Sequence, residues 1–470
     1  MNVVLISTYE LGRQPFGLAS PAAWLRQRGA RVTCLDLSRE PFREQLVRQA
    51  ELVAFFVPMH TATRLAVELI EPVRRINPRA HLCFYGLYAP VNEDYLHRLG
   101  VGTILGGEFE EGLANLMDRL SLNKMEKKQH RGHRGTEVTE KTTTQPEPLI
   151  SLNRQQFLVP DRSGLPPLKR YAHVVLPNGE HRVAGYTEAS RGCKHLCRHC
   201  PIVPVYNGAF RIVQRDVVLE DIRRQVDAGA HHITFGDPDF FNGPGHALAI
   251  VEELHRRWPQ LSYDVTIKVE HLLKHSNHLR TLRDTGCLFV TSAVESIDDA
   301  ILAKLDKGHT RADFLAVVKL FREAGLALQP TFVPFTPWTT LESYCELLSL
   351  LADHDLVESV APIQLAIRLL IPAGSRLLEL PEMANVIAPF DEKALVYPWR
   401  HPDPRVDQLA SEVEDLVRRG EKFRRTRAQI FSLIWQAAHR AAGLVDQTEP
   451  PAPVLVSRAA IPYLNEPWYC

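Results

Sequence analysis

The chain has 470 residues, and its 55 lysines and arginines balance 55 aspartates and glutamates, so the formal net charge is zero. That balance argues against a dedicated nucleic-acid binder, which usually carries a basic excess. Eight cysteines are too few for a disulfide scaffold at this length. The first residues lack a leader pattern, and no apolar run approaches the roughly 18 residues of a membrane span. We therefore expect a cytoplasmic protein of about three domains, with reduced thiols and neither a membrane nor a nucleic-acid partner.

Residues 1–121 alternate between short apolar runs and stretches of helical composition. The apolar runs have strand length and lie at residues 3–7, 32–37, 52–57, 81–85 and 103–105. Strands that alternate with helices predict a parallel sheet covered by helices on both faces. Residues 122–150 are basic at first, then rich in Thr, Glu, Gln and Pro, with almost no apolar side chains. That composition is typical of a flexible linker.

The same alternation returns in residues 151–380. Six strands are expected there, at 185–188, 232–235, 262–269, 288–293, 328–333 and 362–370. Six strand–helix units predict a partial (β/α)6 barrel of the TIM type, with chemistry at the carboxyl ends of the strands. Residues 381–470 are predicted to be a mostly helical extension, with a helical region over 405–442 that is interrupted near Gly420. The predicted fold class is thus α/β, with two α/β domains and a helical C-terminal region.

Three of the cysteines form a C-x3-C-x2-C motif at Cys193, Cys197 and Cys200, directly after the first predicted barrel strand. Three thiolates in one loop fit an iron–sulfur cube that leaves one iron open for a small molecule. A structural zinc site needs four ligands, so His195 or His199 would have to complete it. Simple buried thiols are the third alternative. The spacing and the strand context favour the cluster.

With this motif after the first barrel strand, residues 186–375 resemble the radical SAM enzymes. The resemblance implies that the three cysteines bind a 4Fe–4S cluster whose open iron chelates S-adenosylmethionine. In that family, reductive cleavage gives a 5′-deoxyadenosyl radical that abstracts a substrate hydrogen, and a low-potential donor such as flavodoxin or ferredoxin supplies the electron. The chain departs from the family at His199, where relatives usually carry a carbocyclic aromatic that packs near the adenine. His199 is the corresponding candidate for stacking.

Acidic residues follow two predicted strands at the edge where chemistry is expected. Asp237 or Asp239 ends the second barrel strand, where many relatives carry Gly-Gly-Glu to bind the amino group of S-adenosylmethionine. A helix cap or a turn is the alternative role for either aspartate. Glu295 belongs to a Glu-Ser pair that matches the end of the family's fourth strand. It either anchors the site or caps the next helix.

Two further pairs are candidates because of their predicted strand faces. Lys268 and Glu270 alternate along the third strand, so both would point into the barrel, although edge exposure would explain them as well. Gln364 and Arg368 share one face of the sixth strand and are candidate cofactor-binding residues. Arg368 suits a carboxylate or ribose contact, and a plain salt bridge is the alternative.

The first domain, placed before such a core, resembles the Rossmann-like cobalamin-binding domain of one large branch of these enzymes. Gly106 and Gly107 end its fifth strand as the family's glycine turn does, and glycine lets the backbone approach a bulky ligand. The Asp-x-His-x-x-Gly loop is missing. His60 is an alternative cobalt ligand, or an ordinary helix-start histidine. Cobalamin is therefore a candidate cofactor. The alternative is a domain that kept the fold and no longer binds the ligand.

The C-terminal sequence Glu-Pro-Trp-Tyr-Cys, which ends at Cys470, resembles the CUAEP/CCAEP-tail radical SAM (seleno)proteins, as does Gly-Asp-Pro-Asp-Phe-Phe-Asn after the second barrel strand. In that family the tail reads Cys, then Sec or Cys, then Ala-Glu-Pro. The resemblance implies a redox role for Cys470 and a natural chain that continues through a selenocysteine codon. A tolerated surface thiol is the alternative, and the codons after Cys470 test the point.

The predicted function is radical SAM chemistry on a small-molecule substrate that the sequence does not specify. Cobalamin would favour methyl transfer to an unactivated carbon or phosphorus centre. Without cobalamin, hydrogen abstraction, rearrangement and 3-amino-3-carboxypropyl transfer stay open. The competing prediction is a non-catalytic iron–sulfur binding or electron-carrier protein that kept the scaffold.

Overall fold

The computed structural model describes residues 1–129, 146–444 and 461–465. Within them the chain forms two compact units. We call Met1–Arg170 together with Glu392–Leu395 the N-terminal unit, and Tyr171–Asp391 together with the described residues from Val396 onward the C-terminal unit. In the described parts of both units, no helix has the length and apolar character that crossing a bilayer requires.

A six-stranded parallel sheet organises the N-terminal unit, in the order β2-β1-β3-β4-β5-β6. All five strands that the apolar runs predicted are present, and a short sixth strand extends the sheet. The strands are β1 (Asn2–Ser7), β2 (Arg31–Asp36), β3 (Leu52–Phe56), β4 (His81–Tyr85), β5 (Thr103–Gly107) and β6 (Ile150–Ser151). The helices are α1 (Phe16–Gln27), α2 (Glu44–Arg48), α3 (His60–Val67), α4 (Ile70–Ile76), α5 (Tyr88–Val91), α6 (Glu93–Arg98) and α7 (Phe109–Gln129).

Both faces of this sheet are buried, which explains why its strands read as continuous apolar runs rather than alternating ones. Successive side chains of a strand point to opposite faces and so enter two separate apolar cores. Leu5 and Ala54 pack in one core with residues of α1 and α7. Val4 and Phe55 pack in the other, with residues of α3, α4 and α6. The predicted parallel sheet covered on both faces is confirmed.

The segment 122–150, which we expected to be a linker, begins inside a helix. Helix α7 continues to Gln129, and Ile150–Ser151 at the other end of the segment pairs with β5 as strand β6. Residues 130–145 lie outside the described residues.

A seven-stranded curled sheet organises the C-terminal unit, in the order β14-β13-β12-β11-β8-β7-β15. Its strands β8 and β11 to β14 are parallel and form a half-barrel, and β7 and β15 extend it in antiparallel pairing. A separate antiparallel hairpin of β9 and β10 follows β8. The strands are β7 (His173–Val175), β8 (His181–Thr187), β9 (Ser190–Gly192), β10 (Phe210–Ile212), β11 (His232–Phe235), β12 (Ser262–Thr266), β13 (Cys287–Glu295), β14 (Ala327–Phe332) and β15 (Tyr463–Leu464). The helices are α8 (Val203–Tyr206), α9 (Arg215–Asp227), α10 (Pro244–Arg257), α11 (Val269–Lys274), α12 (Leu279–Asp284), α13 (Asp299–Leu305), α14 (Arg311–Ala324), α15 (Leu341–Asp353), α16 (Pro404–Lys422) and α17 (Arg427–Ala441).

The prediction of a sixth barrel strand at 362–370 is wrong. Pro362–Leu365 forms a 3-10 helix instead, because proline brings no N–H to a strand ladder. The side chain of Gln364 takes over part of the ladder, since its Oε1 accepts a hydrogen bond from the backbone N–H of Phe332 at 3.2 Å. One parallel bridge, between Phe335 and Arg368, is all the pairing that the described residues show at this position.

The third barrel strand is shorter than the predicted 262–269. It ends at Thr266, and Lys268 is the N-cap residue of helix α11. Val269 and Leu272 are both fully buried, and a spacing of three places them on one helical face. Lys268 and Glu270 therefore do not share a strand face, and that prediction is wrong.

The helical region predicted over 405–442 is present as α16 and α17, with the interruption just after Gly420 rather than at it. A Cβ on Gly420 would lie 2.5 Å from Cγ1 of Ile430, so this glycine lets the two helices pack closely. The break itself contains Arg424 with a φ of 53°. Helix α17 then starts with a capping box between Thr426 and Gln429.

Candidate active site

The cysteine motif lies in a loop that the β9–β10 hairpin closes. The N–H of Cys193 donates to the carbonyl of Ala209 at 3.1 Å, which continues the hairpin pairing into the loop. Cys193, Cys197 and Cys200 are all free thiols. The loop leads on from β8, the first strand of the half-barrel, so the predicted placement at the carboxyl edge of the parallel strands is what the structure shows.

The three thiols are close enough to influence one another. The pKa of Cys193 is raised to about 11, mainly by burial, and the neighbouring Cys197 sulfur contributes to the rise. Burial also raises the pKa of Cys200 to about 12, with added contributions from Cys197 and Cys193. Thiols in such surroundings stay protonated at neutral pH unless a metal displaces the protons. Three mutually close, protein-enclosed sulfurs are a donor set that fits an iron–sulfur cluster.

His195 is placed by charged neighbours. The Sγ of Cys193, a ring nitrogen of His195 and a carboxylate oxygen of Asp239 all lie within 4.8 Å of one another, so these side chains form a group able to hold a metal ion. However, Nδ1 of His195 lies 3.0 Å from Nζ of Lys268 and Nε2 lies 3.5 Å from Oδ2 of Asp239. Since an ammonium only donates, Nδ1 accepts and Nε2 carries the ring proton. The Nδ1 of His195 thus has a hydrogen-bond partner, whereas its buried Nε2 has none among the described residues.

Asp237 and Asp239, the two candidates after the second barrel strand, differ in their partners. Asp237 accepts hydrogen bonds from the N–H of Ala189 at 2.9 Å and the hydroxyl of Ser190 at 2.6 Å. It therefore braces the start of the β9–β10 hairpin from inside the protein. Asp239 caps the 3-10 helix that follows it, and its Oδ2 also lies 2.7 Å from Nδ1 of His271. Of the two, Asp239 is the one near the cysteine loop.

Asn242 is a positioning residue that the sequence analysis missed. Its side chain is fully buried. Its Oδ1 accepts from the N–H of Lys194 at 3.2 Å and its Nδ2 donates to the carbonyl of Gly192 at 3.3 Å, so one amide holds both sides of Cys193. A buried asparagine after two phenylalanines was the available signal, because buried amides usually have a structural partner.

Glu295 ends β13 in a left-handed conformation, with a φ of 68°. Its Oε1 lies 3.2 Å from Nε2 of His199 and 3.3 Å from Nζ of Lys307. Burial alone would raise the pKa of Glu295, but the ammonium of Lys307 and the ring of His199 outweigh it and hold this pKa at about 2. Helix α13 is capped by Asp298, so the capping alternative for Glu295 is wrong.

Lys307 is the second residue that the sequence analysis missed. Its side chain is buried, which by itself would lower the pKa of its ammonium, but the Glu295 carboxylate first and then the Cys197 and Cys200 sulfurs outweigh burial and raise this pKa. The Nδ1 of His199 is buried without a hydrogen-bond partner among the described residues. An enclosed ammonium near the Cys197 and Cys200 thiols, together with the orphaned ring nitrogen of His199 in the same loop, fits an anionic metal cluster bound there.

Gln364 and Arg368 are committed to the protein's own chain. Gln364 bonds to β14 as described above. Arg368 donates to Oδ1 of Asp407 at 2.6 Å and to the carbonyl of Trp399 at 2.8 Å, and its guanidinium lies 3.6 Å from the centre of the Trp399 ring. The salt-bridge alternative for Arg368 is therefore the one that the structure shows.

In the N-terminal unit, the chain itself fills the space at the two candidate glycines. A Cβ on Gly106 would lie 2.2 Å from Cγ of Pro90, and one on Gly107, whose φ is 70°, would lie 2.2 Å from the carbonyl oxygen of Ser151. His60 is also engaged, since its Nε2 lies 2.5 Å from the carbonyl oxygen of Ala394. These residues serve packing within the unit, whatever else they contact.

An orphaned hydroxyl marks the topological switch point of the same sheet. In the order β2-β1-β3, strand β2 lies on one side of β1 and the chain then crosses to β3 on the other side. Ligands of open α/β sheets bind outside the carboxyl ends of the strands at such a point. The Oγ of Ser7, the last residue of β1, is buried without a hydrogen-bond partner among the described residues. The fold and this hydroxyl fit a polar ligand such as cobalamin. Cys470 lies outside the described residues.

A half-barrel that carries three thiols in a loop at its carboxyl edge is typical of α/β proteins that depend on a metal cofactor. Residues 187–348 match the radical SAM superfamily, so the chain contains a radical SAM domain. Such a domain implies a 4Fe–4S cluster and S-adenosylmethionine as cofactors.

The chain is similar to the hopanoid C-3 methylase of Methylococcus capsulatus, with 23% identity over 332 residues that cover 69% of this chain and 62% of that protein. It thus spans less than two thirds of the curated relatives it matches. Among solved structures, a cobalamin-dependent S-adenosylmethionine radical enzyme, OxsB, with aqua-cobalamin and S-adenosylmethionine bound, aligns with a TM-score of 0.67 and 15% identity over 87% of this chain and 66% of that one. The radical S-adenosylmethionine methyltransferase TsrM from Kitasatospora setae, with cobalamin and a 4Fe–4S cluster bound, aligns with a TM-score of 0.59 and 18% identity over 75% of this chain and 73% of that one. These two likenesses show the fold.

Proposed function

We propose that the protein is a radical SAM methyltransferase in which Cys193, Cys197 and Cys200 hold the 4Fe–4S cluster and the N-terminal unit binds cobalamin. One observation carries the proposal: three free thiols of one loop interact with one another, and the buried ammonium of Lys307 interacts with two of them, Cys197 and Cys200. A tris-thiolate cluster is anionic, and an enclosed cation offsets the cost of burying that charge. The names of the relatives support methyl transfer, since the hopanoid enzyme is a methylase and TsrM a methyltransferase.

The side chains around the thiols support a division of roles. Asp239, which is buried and negatively charged, suits the amino group of S-adenosylmethionine, because a carboxylate is a strong acceptor for an ammonium. His199 suits stacking against the adenine, and Glu295 with Lys307 fixes its ring. Asp237 and Asn242 hold the loop in place from below. When bound, the cluster supplies the electron for cleaving S-adenosylmethionine and cobalamin supplies methyl-transfer chemistry.

A polar group at the switch point supports cobalamin in the N-terminal unit, through the unpartnered hydroxyl of Ser7. The small-molecule substrate and the electron donor belong to the proposal as well, since radical SAM enzymes generally need a reductant. The redox role of Cys470 and the CUAEP/CCAEP-tail resemblance are supported by the sequence alone.

The test is anaerobic reconstitution of the full chain with iron, sulfide and cobalamin, followed by absorption spectroscopy and product analysis with S-adenosylmethionine and dithionite. We expect a charge-transfer band of the cluster, retained corrinoid absorption, and both 5′-deoxyadenosine and S-adenosylhomocysteine. An intact cluster without either product would favour the non-catalytic iron–sulfur protein. 5′-Deoxyadenosine without bound cobalamin would keep the radical chemistry and remove the methyl transfer.

The matched control is a pair of single cysteine variants. Cys193→Ala should abolish both products, whereas Cys345→Ala, at a buried free thiol of helix α15, should retain them. Equal loss in both variants would point to damage of the fold instead of the cluster.

A further inference from the structure

The outer side of the cysteine loop carries exposed apolar side chains that the proposed function does not use. Leu196 is 39% exposed and Ile212 is 44% exposed, and few large apolar side chains of the described residues are exposed at all. Leu196 lies between Cys193 and Cys200 in the loop, and Ile212 ends the hairpin strand β10. Leu196 adjoins Lys194 at Gly208, where a Cβ would lie 3.4 Å from Cδ2 of Leu196 and 3.6 Å from the carbonyl oxygen of Lys194. Exposed apolar residues that cluster in this way mark a contact surface.

Lys194 links the exposed leucine to the side chains of the hairpin strand β10. The Nζ of Lys194 lies 4.9 Å from the centre of the Phe210 ring. A Cβ on Gly243 would meet Phe210 at 3.7 Å and Ile212 at 3.9 Å, so the apolar side chains are neighbours in space. We call the set the donor patch: Lys194, Leu196, Arg198, Phe210 and Ile212.

The donor patch is positively charged. Lys194 is exposed. Arg198 donates to the carbonyls of Ala303 and Lys304 at 3.1 and 3.0 Å. Neither cation forms an ion pair within the described part of the chain, whereas Arg376, which also contacts the loop, is paired with Glu379. An apolar centre with unpaired cations on it complements an acidic protein surface with an apolar centre.

We propose that the donor patch docks a small acidic protein that delivers one low-potential electron to the cluster, an inference that rests on the proposed function. Electron transfer needs close approach, and this patch is the outer face of the loop that carries the three cysteines. Weak redox encounters use small interfaces, and opposite charge raises their association rate. The step makes and breaks no bond: the donor is oxidised by one electron and the cluster is reduced by one.

The experiment measures the rate of cluster reduction in the reconstituted full-length holoenzyme under anaerobic stopped-flow conditions. The probe is fully reduced flavodoxin, an acidic protein, and the comparison reductant is reduced methyl viologen, a small cation. Lys194→Glu should slow reduction by flavodoxin about tenfold at low salt, and the effect should shrink as salt screens it. Ile212→Ser should slow it about threefold at any salt. Neither variant should slow reduction by viologen.

The controls have matching chemistry at distant places. Lys319→Glu reverses an exposed lysine on α14, and Leu65→Ser replaces an exposed leucine on α3 of the N-terminal unit. Both should reduce at the wild-type rate with either reductant. Flavodoxin rates that stay at the wild-type value in Lys194→Glu and Ile212→Ser would overturn the proposal, as would a parallel loss with viologen. Iron content and absorption are measured first, so failure of the wild-type chain to hold a cluster would be recognised as failure of the proposed function, and the docking proposal would fall with it.

Discussion

The carboxyl edges of the two parallel sheets each contain a buried glutamate, and the two glutamates differ in their hydrogen-bond partners. In the N-terminal unit, the partners of Glu110 include two uncharged groups, the hydroxyl of Ser20 at 2.6 Å and the amide of Gln155 at 3.0 Å, and both donate to its carboxylate. In the C-terminal unit, Glu295 is held by the imidazole of His199 and by the ammonium of Lys307, which also interacts with the Cys197 and Cys200 thiols.

Sheet topology marks both edges as places where a ligand can bind, and the side chains at the two edges distinguish them. The N-terminal edge is largely closed by its own hydrogen bonds and by contacts at Gly106 and Gly107. The C-terminal edge keeps titratable groups near the thiols, and the pairing of Glu295 with Lys307 and His199 offsets part of the cost of burying them.

The largest expected effect comes from replacing one cysteine in each unit, one in the three-cysteine loop and one inside the N-terminal sheet. Cys193→Ala should lose the iron–sulfur absorption after reconstitution, because a cube held by two thiolates lacks a ligand. Cys34→Ala removes a thiol that is 1% exposed in the N-terminal sheet and should keep the full iron content. Iron and sulfide analysis measures both. Full iron in the first variant would mean that the three-thiol loop is not the cluster site.

The buried ion pair at the C-terminal edge should give the next largest effect. Lys307→Met leaves the carboxylate of Glu295 buried with only His199 as a partner, and breaking one side of a buried pair costs about 3–5 kcal/mol. Urea unfolding of the apo-protein measures the loss. The double variant Lys307→Met with Glu295→Gln should recover part of it, because no unpaired charge is left. A loss that is equal in the single and double variants would contradict a specific pairing.

Local patterns in the sequence were sufficient for much of this fold and for part of the site. The parallel strands of the N-terminal sheet follow from apolar runs that are buried on both faces, and the cysteine spacing identifies the loop. The sixth barrel strand was not predictable, because Gln364 replaces backbone pairing with a side-chain contact to Phe332. Lys307 was missed because its pairing with Glu295 is made only by the turn after α13, which no periodicity encodes.

The pH dependence of the free energy of unfolding should distinguish Asp237, which braces the hairpin, from the charged carboxylate of Glu295. Burial raises the pKa of Asp237 to about 7 despite its hydrogen bonds from Ala189 and Ser190. An unfolded aspartate ionises near about 3.9, so between these values the folded state keeps a proton that the unfolded state has lost. The free energy of unfolding should therefore fall between about pH 4 and pH 7 and level off above. Asp237→Asn, which mimics the protonated acid, should lack this fall.

The measurement is urea unfolding of the apo-protein at several pH values, with the two curves compared by difference. The difference should amount to a few kcal/mol, with about 4 kcal/mol as the upper bound from a pKa near 7. Asp216→Asn, at an exposed position in the first turn of α9, serves as the control and should follow the wild-type curve. Parallel curves for Asp237→Asn and the wild-type chain would show that Asp237 is ionised in the folded protein.

The smallest expected effect on stability concerns the glycines of the N-terminal edge. It tests whether glycine is needed there for packing within the protein or for the approach of a ligand. Gly106→Ala places a methyl group 2.2 Å from Pro90, and overpacking of this kind costs about 1–3 kcal/mol. Gly245→Ala, with no atom within 4 Å of its Cβ, is the matched control and should leave stability unchanged. If Gly106 serves packing, thermal unfolding shifts while cobalamin retention follows the folded fraction. If the glycine serves ligand approach, stability holds and cobalamin retention is lost, and the N-terminal edge would then be an open site like its C-terminal counterpart.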